Sequence, residues 1–78
     1  MDEEAYRKLQ RRADRICSLI VASDYAAIDV AIEIRNLREF CQQEFPDRME
    51  LFGQVYESRF RRLWEQFRGD SGEELPDW

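Results

Sequence analysis

The sequence predicts an all-α fold, a small antiparallel three-helix bundle, on three observations. Apolar residues recur at helical spacing through three long segments. Only three Gly and two Pro occur in 78 residues, too few for the many turns of a β fold. Two breaks, Ser23-Asp24 and Phe45-Pro46-Asp47, divide the chain into three stretches long enough for helices. Short connections of this kind make neighbouring helices antiparallel.

The first helix is expected over residues 2–22. Tyr6, Leu9, Ala13, Ile16 and Ile20 recur at alternating steps of three and four. Asp2, Glu3 and Glu4 fall in its first turn, where the helix dipole favours negative charge. Arg7, Lys8, Arg11, Arg12 and Arg15 occupy the outer face. Either Ser23 or Asp24 can cap the next helix by accepting a hydrogen bond from a free backbone N–H.

A second helix is expected over residues 24–44. The run Ile28 to Ile34 alternates apolar and polar and is rich in β-branched residues, so in isolation it fits a strand. Helix wins for three reasons. Good helix formers follow without a turn signal, and Ala27, Val30, Ile34, Leu37 and Cys41 form a helical stripe. A lone strand between helices would also have no partner. Pro46 ends the segment by removing an N–H and disfavouring helical geometry at Phe45.

The third helix, over 47–68, leads the expected core. Asp47 and Glu50 have capping-box spacing, and Gly69 stands just past the end. On a straight helix, Phe52, Leu63, Tyr56, Met49, Phe67, Phe60, Gly53 and Trp64 share an arc of roughly 120°. The expected core is Leu9, Ile16, Ile20, Val30, Ile34, Leu37, Phe52, Tyr56, Phe60, Leu63 and Phe67. Mid-helix Gly53 is expected where another helix backbone comes close. Residues 1–69 thus form one helical domain. Residues 70–78 are expected to be a mobile acidic tail, in which Leu75 and Trp78 could dock on a partner or fold back.

Composition narrows the chemistry. There is no histidine, which removes the commonest general acid–base group and a principal metal ligand. Two cysteines 24 positions apart, Cys17 and Cys41, do not make a zinc site alone. Both are expected to face inward as small hydrophobes in a reducing cytoplasm. No Gly-rich phosphate loop is present. Asp29 and Glu33 share a helical face and fit a solvated surface better than a cation site. No catalytic residue, cofactor or metal is therefore expected, and the chain is not expected to be an enzyme. The acidic, apolar-poor start is unlike a signal peptide, and no apolar run is long enough to span a bilayer.

Two surfaces remain. Tyr25, Ile28, Ile32, Leu51 and Val55 lie outside the main stripes and are expected either to form a self-association or partner surface, or to be buried with the second helix sandwiched between its neighbours. The arginines Arg7, Arg11, Arg15, Arg59 and Arg62, with Arg61 and Arg68 among aromatics on helix 3, give the alternative of a nucleic-acid-binding module, for which a three-helix layout suggests a helix-turn-helix. The net charge of −5 and the absence of a Gly-containing turn oppose it. The expected role is a small non-enzymatic interaction or regulatory module that forms a homodimer.

Overall fold

A computed structural model describes residues 3–22, 24–69 and 75, and these form three helices with no strand among them. α1 spans Glu3–Ala22 and α2 spans Ala27–Glu44. α3 is continuous over residues 46–68 but changes winding three times. A 3-10 turn over Pro46–Arg48 leads into a short α segment, Met49–Phe52. A π turn follows over Gly53–Glu57, and α geometry resumes over Ser58–Arg68. The β-branched run of α2 is helical: Val30, Ala31 and Ile34 are buried while Ile28 and Ile32 are exposed.

The helices run up, down and up, and α1 takes the central place. It packs along both α2 and the Ser58–Arg68 segment, whereas α2 meets α3 chiefly through residues 46–52. The core holds Leu9, Ile16, Ile20, Val30, Ile34, Leu37, Phe52 and Phe60, all expected to be buried. It also holds Ala13, Cys41 and Trp64. Tyr56, Leu63 and Cys17 are half-buried against this cluster. Phe67, expected inside, is 46% exposed, and the neighbouring Arg68 is buried in its stead.

The π turn explains that exchange. The buried positions of α3 are Phe52, Phe60, Trp64 and Arg68. At 100° per residue, a straight helix carries a residue 16 positions along about 160° away from its starting direction. The wider π turn takes up one extra residue and returns the segments to a common stripe. Ser58 donates its backbone N–H to the Gly53 carbonyl, closing the wide turn, and its Oγ also donates to that oxygen at 3.3 Å.

Gly53 is thus not explained by a close helix approach, since a Cβ built there meets no atom within 4 Å. Its φ of −61° suits any residue. Gly53→Ala is therefore expected to raise stability by about 1 kcal/mol through reduced backbone entropy in the unfolded chain. For a domain of this size that is a rise of about 4–8 °C in the midpoint of thermal denaturation followed by circular dichroism.

The helix ends also depart from the expected caps. α2 starts three residues after Asp24, and its N-cap, Ala26, makes no side-chain capping bond. The Asp47–Glu50 box does not form, because Pro46 opens a 3-10 turn in which the Arg48 N–H donates to the Phe45 carbonyl at 2.9 Å. Gly69 keeps right-handed helical angles. What fastens the α1–α2 connection is Arg68. Its Nε donates to the Ile20 carbonyl at 2.9 Å and Nη2 to the Leu19 carbonyl at 2.6 Å, while Nη1 donates to the Tyr25 carbonyl. The guanidinium lies 4.5 Å from the centre of the Trp64 ring. α1 has no basic residue in its own last turn, so this cation from α3 meets the negative end of the α1 dipole.

Side-chain pairs set the remaining contacts. Arg15 bonds Glu33 at 2.8 Å between α1 and α2, and Arg38 grips Glu57 through two bonds of 3.3 and 2.8 Å between α2 and α3. Of the tail, only Leu75 is described, half-buried against the core; the expected mobility of 70–74 and 76–78, and any docking of Trp78, lie outside the described residues.

Candidate interaction surface

The side chains expected to make an interface do not form one patch. Ile28 and Ile32 are 57% and 47% exposed near the start of α2, so that helix is not sandwiched. Tyr25, beside them, is half-buried against the core. Leu51 and Val55 are exposed near the start of α3, by the far end of α2. Residues 28 and 44 alone are about 24 Å apart along the α2 axis.

Leu51 and Val55 instead join residues of α1. With Tyr6, Leu9, Cys41, Phe45, Phe52 and Tyr56, and with Arg48 as the one charged lining group, they enclose an apolar groove of ≈ 150 Å³. Beside it a shallow cleft is lined by Tyr6, Gln10, Asp14, Val55, Tyr56 and Arg59. The arrangement follows from spacing. Leu51, Val55, Arg59, Leu63 and Phe67 recur every fourth residue on α3, and Tyr6, Gln10, Asp14, Cys17 and Val21 recur every third or fourth on α1. α1 and α3 are packed together and run the same way, so the two stripes lie side by side. Three exposed large apolar side chains, Tyr6, Leu51 and Val55, share the groove, and helical spacing carries the same two stripes on to exposed Val21 and Phe67 about 20 Å further along. Between them stand Asp14 and Arg59.

Three of these contributors were not expected at a surface. Tyr6 reads as a stripe residue of α1 and Phe67 as core, and Val21 belongs to neither pattern. Of the three, Phe67 lies on the every-fourth-residue series of α3, whereas Tyr6 and Val21 lie on the series of threes and fours on α1.

Burial shapes the titration of the groups here. It raises the Tyr56 phenol, with Tyr6 beside it acting in the same direction. It raises the half-buried Cys17 thiol against the opposing charge of Arg59. Cys41, at the floor of the groove, is pushed up to about 11 from 9, mainly by burial, with Arg12 opposing. The folded state therefore holds the Cys41 proton more tightly than the unfolded chain. The stability this gives is fully present below pH 9 and is lost as pH rises towards 11, to the extent of about 2–3 kcal/mol. Urea midpoints measured at pH 7.5, 9 and 10.5 should fall across that window, and fall less steeply in Cys41→Ala.

The arginines of the nucleic-acid alternative are spread over different contacts. Arg7 pairs with Glu3 at 2.9 Å and Arg15 with Glu33 at 2.8 Å. Arg59 lies over the Tyr56 ring, 6.0 Å from its centre. Arg11 and Arg62 are exposed. Arg68 is 2% exposed and faces the α1 carbonyls, so it has no part in an outer basic face. Among the described residues there is no group of His, Cys, Asp or Glu with metal-site geometry, and no helix is long and apolar enough to cross a membrane. Comparison with protein-family models, with curated proteins and with solved structures finds no match to this chain.

Proposed function

We propose that this protein is a non-enzymatic helical interaction module of the cytoplasm that works as a self-associating unit. One observation carries the reading: the exposed side chains of Tyr6, Leu51 and Val55 are gathered around the apolar groove between α1 and α3. Isolated apolar residues on a surface carry no message, but a gathered set rimmed by polar groups marks a contact site. A core this small also gives a narrow stability margin, which association widens by mass action. Both cysteines are unbridged, in keeping with a reducing compartment. The test is solution mass by light scattering over a hundredfold range of concentration. A mass that climbs from one chain to two supports the reading. A single-chain mass throughout removes self-association, and a salt-sensitive mobility shift with mixed DNA or RNA would then favour the basic-face alternative.

A further inference from the structure

We infer that a second copy of this chain covers the α1–α3 flank, related by a two-fold axis parallel to the helices, so that Asp14 of each copy meets Arg59 of the other. The inference rests on the self-association proposed above and adds the surface, the symmetry and the register.

Charge placement selects the arrangement. Asp14 on α1 and Arg59 on α3 line the same cleft midway along the flank, and among the described residues neither makes an ion pair within the chain. A closed two-copy contact is self-complementary, each patch meeting its rotated image. An axis across the bundle would set Asp14 against Asp14 and Arg59 against Arg59. An axis along the bundle exchanges the α1 and α3 stripes at constant height, and each carboxylate then faces a guanidinium. Under that rotation the apolar groups also match: Tyr6 faces Val55 of the second copy at one end, and Val21 faces its Phe67 at the other. Opposite charges at the centre of an apolar contact fix register more than they add affinity.

The dimensions suffice. A body of 39 × 19 × 17 Å has a flank of roughly 700 Å² per copy, close to the roughly 800 Å² that each partner contributes to a standard interface. Ile28 and Ile32 lie off this flank and stay exposed in the dimer.

The test is charge exchange between two variants, read by light scattering and sedimentation, with circular dichroism to verify folding. Asp14→Arg alone sets two arginines against two, and Arg59→Asp alone sets two carboxylates against two, so each is expected to weaken self-association at least about tenfold. An equimolar mixture of the two variants should restore the dimer, because each mixed pair holds one native Arg59–Asp14 contact and one contact of reversed sign between the two substituted positions. Asp14→Asn and Arg59→Gln provide a milder pair should either reversal unfold. Ile28→Glu with Ile32→Glu should leave the dimer intact. Should the wild type dimerise while both charge variants associate as it does, or while only the Ile28/Ile32 variant dissociates, the flank and register are wrong although self-association stands. A mixture that fails to recover also overturns the register. A wild type that stays single up to millimolar concentration removes the underlying reading itself.

Discussion

Arg68→Ala is expected to cost about 3–5 kcal/mol and to leave much of the protein unfolded at room temperature. Three carbonyl oxygens, those of Leu19, Ile20 and Tyr25, accept hydrogen bonds from its one guanidinium. Two of them belong to the last turn of α1, where a helix has no backbone donors of its own to offer. Hydrogen bonds to a charged group contribute about 1.5–3 kcal/mol each when made, and a buried acceptor left without a donor adds its own desolvation cost. The effects at one side chain are not additive, which keeps the expected total near that of breaking a buried ion contact. Loss of the stacking contact on Trp64 acts in the same direction. Domains of this size have only a few kcal/mol in hand. Arg68→Lys should recover little, since one ammonium cannot present a planar fork to three separated oxygens. Urea denaturation of the two variants checks both statements. A loss below about 1 kcal/mol for Arg68→Ala would mean that water satisfies those carbonyls and that the connection holds without the clasp.

How far the fold is legible depends on which rule governs each element. Ile16, Ile20, Ile34 and Leu37 sit on uninterrupted steps of three and four, and straight-helix geometry places them in the core. The end of α2 is legible because Pro46 acts through its own covalent structure. The start of α2 is not: Ser23 and Asp24 carry the right chemistry for a cap, yet the helix begins at Ala27 behind an uncapped Ala26, and the connection is fastened through the Ile20 and Tyr25 carbonyls by Arg68 from a helix more than forty positions away. A local motif cannot register a partner that only the tertiary fold supplies. Exposed Leu51 and Val55 were legible as surplus apolar surface, yet Ile28 and Ile32 look the same in sequence, and only packing shows that the two pairs are far apart. Phe67 and Arg68 exchange places because the spacing rule is applied across a segment where it fails. A π turn has no reliable sequence signature, and Gly53 at its start reads equally well as a site of close helix contact.

Inserting one alanine after Gln54 is the variant that isolates this turn, and it is expected to abolish cooperative folding. Gln54 is exposed, so a small residue added beside it displaces no core side chain directly. It does lengthen the Gly53–Glu57 segment by one residue beyond the single extra residue that the π turn takes up. Everything after the turn then rotates by about 100° relative to Phe52. Phe52 can keep its place only if Phe60, Trp64 and Arg68 swing off the α1 face, and Phe60 can keep its place only if Phe52 leaves. Truncating a single buried Phe or Trp typically costs about 3–5 kcal/mol, and misplacing two with the Arg68 clasp exceeds the stability of a 78-residue domain. Gln54→Ala, which keeps the residue count, should change stability by less than about 0.5 kcal/mol. Together the two variants separate length from side chain. A broad, non-cooperative thermal transition in the insertion beside a sharp one in Gln54→Ala places the fold's register in the wide turn. An insertion that melts as sharply as the wild type, with Phe67 buried and Arg68 exposed to solvent, would show that the sequence also supports the straight-helix core and that the turn is only one of two solutions.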